Sequence, residues 1–595
     1  MKKLIKLIAI VLCGIISAST LAACGPRGKV IDGIDPNKTQ IYVGLYNGGL
    51  GTQWFDKLQK EWNANNDTYE IWPIPDKLEA NQIVNTVNLG SSSETDPAIY
   101  FSVSGSGLKD LVEKNKLEDL SEWANTTRPD GAGGKTIAEK ITDMNSWKQI
   151  ASNSKTGGLY MLPWNESVAG FIYDHDTALD PNEDGSTKDC WLWKAPVSEK
   201  ANVEAAGITC EVQGNELIFV SSTGETNYRV GSPILRAGRD GKYGTYDDGQ
   251  PETMAEWDLM IAKIVDVSSY RAFMWTGQFE TEYVQFLNTV FFAQYSGIQS
   301  VVDFFDKDSN GVEYEMYDGT RSAFTIDDGY KSNSMMGIKK TVEFINKYLI
   351  PTKNLHPTAT ESSYDHGMTQ GLFVMGYRGA TANPKTAMIL EGSWWENEAR
   401  LYFASNAEGD PERGYGKRDY RYMLTPSFDG GLGAFGDGTG TAMAISENSS
   451  IIVPKCSDPN KLAAIKDFLA FTLKEENLRR YTLETGVVRP YEYEMTAEDR
   501  AQMTPFARNN WDIYNDKENI GLVRRNIYAT QPINYATTGC NLYPIRAGGI
   551  AFGSFMSALA RNGVTDIVEG ISTAYNQSSW KNLLDQAKAV GFYAN

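Results

Sequence analysis

Short apolar runs along this chain alternate with stretches whose apolar residues recur at helical spacing, and glycine turns separate many of them. Gln40 to Tyr46 has the content of a buried strand. Asn47-Gly48-Gly49-Leu50-Gly51 follows, and a helix is predicted from Thr52 with Trp54, Phe55, Leu58 and Trp62 on one face. A second strand is predicted at Asp96 to Phe101, with a helix over 108–114 behind it. Leu159-Tyr160-Met161-Leu162-Pro163-Trp164-Asn165-Glu166-Ser167 leads into Gly170 to Tyr173, a Pro-bounded extended segment between two apolar strands that suits a crossing between lobes. Apolar stripes predict helices at Tyr283 to Tyr295, Ile338 to Leu349 and Leu462 to Leu473, and two more near 552–560 and 580–590. A strand is expected at Ser449 to Pro454. Strands alternating with helices over this length give an α/β fold.

The run Thr386-Ala387-Met388-Ile389-Leu390-Glu391 stops at Gly392-Ser393, and two adjacent indoles, Trp394 and Trp395, come next. A turn that throws so much apolar surface outward needs something to cover it. Either the pair caps the local core, or at least one ring is a platform for a ligand with an apolar face, such as a sugar.

Length and charge narrow the choices. At 595 residues the chain divides into at least two lobes, and 75 Asp plus Glu against 56 Lys plus Arg leave it 19 units negative. That balance argues against nucleic acid or an anionic membrane face as partner. The 14 Trp and 31 Tyr suit ligands that are half apolar and half hydroxyl. Only His175, His356 and His366 exist, which leaves little room for histidine-based metal or triad chemistry. Cys190, Cys210, Cys456 and Cys540 lack any zinc or C-x-x-C spacing; a Cys190 to Cys210 bridge and free thiols are both compatible with the sequence.

Lys2, Lys3 and Lys6 precede an apolar run from Leu7 to Ile16 that is too short to span a bilayer and has the build of a secretory signal. It ends in Leu21-Ala22-Ala23-Cys24, which resembles the bacterial lipobox. That resemblance implies removal of residues 1–23, acylation of Cys24, and a mature chain held on the extracytoplasmic face of the cell membrane. Residues 24–38, rich in Gly, Pro and Asp, read as a flexible tether.

Two glycine-rich stretches mimic phosphate loops and fail the test. Asn47 to Gly51 lacks the G-x-G-x-x-G order, and Gly131-Ala132-Gly133-Gly134-Lys135-Thr136 has Pro129 where the nucleotide loop needs glycine. The order of the remaining segments is more telling. The lipobox, the Asn47 to Trp54 opening, Leu159 to Tyr173, Ala387 to Trp395, and a late helix ending at Thr485-Gly486-Val487-Val488-Arg489-Pro490 together resemble the maltose-binding-protein-like (family 1) extracellular solute-binding proteins of carbohydrate ABC transporters. The resemblance implies a periplasmic-binding-protein-like type II fold, two α/β lobes joined by hinge crossings with a ligand cleft between them. On that template the first lobe holds 39–165 plus 447–487, and the second holds 166–446 plus 488–595. It also implies a monomer that works with ABC permease subunits.

The chain departs from compact members by an enlarged middle near 174–275. There Asp180, Asn182, Asp184, Ser186 and Asp189 offer oxygen ligands around Gly185, as a structural calcium ion requires, and the loop is similar to one in long oligosaccharide-binding members. Trp191 stands where an EF-hand has its bidentate Glu, so Asp189 has to close the shell; the alternative is a solvated acidic loop. Asp240 to Gly249 is a second acidic turn, able to complete that site or form another, and Asp306 to Gly311 reads as a turn.

A neutral oligosaccharide needs flat rings under its apolar faces and amides or carboxylates in the plane of its hydroxyls. The expected ligand-binding set is Tyr46, Asn47, Trp164, Asn165, Trp275, Glu391, Trp394 and Trp395, with Trp394 foremost. No catalytic residue is assigned. The rival from another class is a lipid-anchored glycoside hydrolase using Glu391 and Glu396 as paired carboxylates; a third reading is a binding protein for a non-sugar solute such as a peptide.

Overall fold

The computed structural model describes residues 33–46, 48–76, 80–90, 96–103, 106–268, 270–375, 384–528 and 555–589. Strand β1, Thr39–Tyr46, buries Ile41, Val43 and Leu45 completely, as alternation on a covered parallel strand dictates. It lies between β2 (Tyr69–Asp76) and β3 (Ile99–Ser102), parallel to both, with Gly44 opposite Ile74 and Tyr100. β2 carries Pro73 and Pro75, which lack the ladder donor, and it pairs with β1 alone at the sheet edge where that loss is tolerated. Behind β1, the helix Gln53–Ala64 buries Trp54, Phe55, Leu58 and Trp62, the face anticipated from their spacing.

Two long strands organise everything else. β4 is one uninterrupted strand, Met161–Asp174, rather than two strands with a bounded link, and every residue through Tyr173 is buried. Its partners explain the difference. After the hairpin β5 (Ile208–Gln213) and β6 (Glu216–Ser222), β7 (Arg271–Met274), and the two-residue pair β8 (Tyr314–Glu315) and β9 (Arg321–Ser322), the chain returns as β10 (Thr386–Gly392), β11 (Tyr420–Met423) and β12 (Thr441–Ile452). β12 runs antiparallel to β4 along most of its length, from Ala444 opposite Ala169 to Ile452 opposite Met161, so no free backbone is left to break the strand at Pro163.

The early part of β4 and the end of β12 belong with β3, β1 and β2; Ile451 pairs with Phe101. The later part of β4 pairs with β10, Ile172 opposite Ile389, and with β11, Ile172 opposite Tyr422. β10 continues to β7 in parallel, and β13 (Ile520–Val523) lies parallel to the start of β12. Between the two halves the β4–β12 ladder is irregular, with register shifts around Glu166 opposite Asn448. Glu166 itself is locked: Arg524 donates to both its carboxylate oxygens at 2.8 Å, and the Tyr514 hydroxyl donates at 2.7 Å.

The helices Pro459–Thr472 and Glu475–Thr485 follow β12, and both pack on the helix Gln53–Ala64. The enlarged middle is pinned to the sheet from β11: the Arg421 guanidinium donates to the Asn227 carbonyl at 3.1 Å, and Gln250 donates to the Tyr422 carbonyl while accepting from the Leu424 N–H. Cys190 and Cys210 are buried free thiols, so the bridge left open by the sequence is not formed. Among the described residues no helix is long and apolar enough to cross a membrane.

Candidate functional site

β10 ends on Gly392, and the Trp394 ring folds back over that glycine so closely that a Cβ there would strike its six-membered ring. From the other half of the sheet, Gly49 approaches the same indole; a Cβ on Gly49 would sit 2.9 Å from Trp394 Cδ1. Asn397 fixes this approach by donating its amide to the carbonyls of Gly49 (3.1 Å) and Leu50 (2.7 Å). Phe286, from the helix Glu280–Ser296, meets Trp394 edge to face at 6.2 Å between centroids. The Tyr46 ring, at the end of β1, lies over Gly48. Trp394 and Tyr46 are each half-buried. The seam between the two halves of the fold is therefore lined by aromatic side chains and by glycine backbone able to approach a ligand closely.

Below this seam sits a buried polar cluster. Glu391 Oε1 accepts from the Tyr283 hydroxyl at 2.9 Å and from Gln370 Nε2 at 3.2 Å, and Gln370 also donates to Glu398 at 2.7 Å. Tyr283 reaches on to His366 Nδ1 at 2.8 Å. Burial, helped by the nearby Glu398 charge, pushes the Glu391 carboxyl up to about 8. Glu396 is also fully buried and is pushed up to about 7 by desolvation, although the Thr504 hydroxyl donates to it at 2.5 Å.

The expected ligand-binding residues divide accordingly. Tyr46 and Trp394 come together at the seam. Trp395 does not; it is fully buried in a cage of Phe373, Phe403, Tyr420 and Phe506, because the helical turn after Trp394 rotates the second indole inward. Trp164 is fully buried against Trp54 and Phe101, and Trp275 is fully buried at the end of β7. Asn165 is buried with its Oδ1 accepting from Ser449 at 3.2 Å. Glu391 lies one layer beneath the aromatic surface. Asn47 and the lipidation residue Cys24 lie outside the described residues. Phe286, Asn397 and the paired glycines were not anticipated: Phe286 reads as one more member of a core stripe, and only the bare backbone of Gly48-Gly49 signals a close approach.

The side chains of the expected calcium loop are engaged in local turns. Asp180 accepts from the backbone N–H groups of Asp184 (3.3 Å) and Gly185 (2.8 Å), while Asn182 turns its amide N–H toward Asp189 at 2.8 Å. Asp184 accepts from the Ser186 N–H at 2.8 Å. Among the described residues no group of three or more His, Cys, Asp or Glu is placed to hold a metal. In the second acidic turn Asp247 and Asp248 are buried and both accept from Thr245, while burial pushes Asp248 up to about 7. The Asp306 segment is a turn, with Lys307 and Asn310 in the left-handed region at φ 57° and 50°.

No protein family's sequence model matches the chain, and no curated protein matches it by sequence. Solved structures match its shape. A chitin oligosaccharide binding protein superposes with a TM-score of 0.50 at 12% identity, over 92% of this chain and 100% of its own. A structure from work on xylan utilization by the thermophilic bacterium Caldanaerobius polysaccharolyticus gives a TM-score of 0.50 at 12% identity, over 90% of this chain and 100% of its own. The fold is thus the mixed α/β, periplasmic-binding-protein-like type II fold.

Proposed function

We propose that this protein captures a carbohydrate, an oligosaccharide in particular, at the seam between its two halves and delivers it to the permease of an ABC transporter. The observation that carries this reading is the half-buried Trp394 indole, held by Gly392 on one side and approached by Gly49 of the other half. A ring so placed offers an apolar face to a sugar while backbone groups and Tyr46 meet its hydroxyls. The fold shared with a chitin oligosaccharide binding protein supports the ligand class. Closure of the halves about the crossing strands selects the ligand, and the closed form is what the permease meets. Acylated Cys24 holds the chain on the outer face of the cytoplasmic membrane, so Cys24→Ala releases it into the medium in a fractionation assay.

Binding without turnover is favoured over hydrolysis, because Glu391 and Glu396 are both buried, with one oxygen of Glu391 held by Tyr283 and Gln370 and one of Glu396 held by Thr504. The test is intrinsic Trp fluorescence titrated with a panel of oligosaccharides and peptides. At least one glycan quenches or shifts the emission, and Trp394→Ala loses the response. A panel silent to every glycan, or a response only to peptides, overturns the carbohydrate assignment.

A further inference from the structure

Arg489 is fully buried, and among the described residues its Nε, Nη1 and Nη2 make no well-aligned hydrogen bond, although the Tyr491 side chain is within reach of the guanidinium. Its guanidinium lies between two aromatic rings, 5.2 Å from the Tyr481 centroid and 5.5 Å from that of Tyr491. The ring faces offset part of the charge. The nearby hydroxyls are neutral and carry no counter-charge: Tyr491 donates to the Pro163 carbonyl at 2.8 Å, and Tyr493 shares a bond with Thr482 at 2.6 Å while accepting from the Arg489 backbone N–H. Two other arginines with little exposure have carboxylate partners. Arg421 has Asp419 and Arg524 has Glu166, each within ion-pair distance, whereas no carboxylate among the described residues reaches Arg489 despite the chain's net charge of −19.

The surroundings are rich in donors as well. Among the described residues the indole N–H groups of Trp54 and Trp164 also lack a protein partner. The Trp54 ring lies 5.0 Å from Tyr481 and 5.8 Å from Trp164. A buried charge without a counter-charge is far costlier than a single unmade hydrogen bond. Water would satisfy the N–H groups but leave the charge; a small anion does both. We propose that Arg489 anchors a buried binding site for a small monovalent anion of the halide or nitrate class. Val488 accepts from the Glu166 N–H at 3.2 Å, so the site sits beside the irregular crossing of β4 and β12. Occupancy there stabilises the joint between the two halves.

The mature chain is melted in sodium chloride and in sodium gluconate at equal ionic strength, gluconate being too large for a closed site. The midpoint in chloride rises relative to gluconate and saturates with concentration; at ten times its Kd the anion changes the folded-to-unfolded ratio about tenfold. Arg489→Met, an uncharged chain that fits between the same two rings, loses this chloride-specific increment. Should that variant not fold, a wild-type crystal soaked in bromide decides: an anomalous peak within hydrogen-bond distance of Arg489 supports the site. An equal chloride increment in wild type and variant, or water alone beside Arg489 in the bromide crystal, overturns the proposal.

Discussion

At the scale of single residues, two neighbouring tryptophans have opposite surroundings. Trp394 is half-buried at the seam and Trp395 is sealed among four aromatic rings, so the same substitution should separate function from stability. Trp394→Ala should weaken glycan affinity at least about tenfold with little change in urea midpoint. Trp395→Ala should cost about 3–5 kcal/mol of stability, read from urea unfolding. Glu391 gives a pH signature. Its folded pKa is raised to about 8 by burial and by Glu398, with Tyr283, Gln370 and, through Tyr283, His366 facing it. The folded state therefore holds a proton that the unfolded chain releases near the ordinary glutamate pKa. Its contribution is complete below about pH 4 and falls as pH rises toward 8. Glu391→Gln cannot lose that proton, so its melting temperature should gain on wild type as pH rises from 5 to 8. A constant difference between the two proteins across that range would contradict the assignment. The sequence marked this turn correctly but not the direction of each ring, because an indole's orientation depends on the helical step after Gly392-Ser393 and on Gly49, which is far away in the chain.

At the scale of elements, β4 and β12 carry the connection between the halves, and the Glu166–Arg524–Tyr514 cluster stands where their pairing is irregular. Removing one partner leaves a buried charge alone, so Arg524→Ala should destabilise by about 3–5 kcal/mol, read from a shift in urea midpoint. The local acidic loops behave differently from their motif. Asp180 to Asp189 is closed by its own backbone hydrogen bonds, and chelator should leave the melting temperature unchanged; a fall would show that the loop rearranges around a cation. Element identity was legible wherever periodicity was strong, as at β1, the helix Gln53–Ala64 and the helix Glu280–Ser296. The length of β4 was not, since Pro163 reads locally as a boundary while its continuation is set by pairing with a strand nearly three hundred residues later. A carbonyl-bearing ligand pattern is likewise only a list of oxygens until the turn decides where they point.

At the scale of the whole molecule, the alternation of strands and helices and the order of its motifs anticipated the mixed α/β, periplasmic-binding-protein-like fold that the solved structures share. The seam was less legible, because it is assembled from β1, β10 and the helix Glu280–Ser296, whose mutual placement no local pattern records. The central claim is that a carbohydrate is gripped between the two halves, with Trp394 as platform. Amide hydrogen exchange with and without a binding glycan tests it most directly. The account predicts added protection on both sides of the seam at once, in residues 48–51 and in residues 392–398. Protection confined to one of these segments, or absent from both while the glycan is bound, would contradict it.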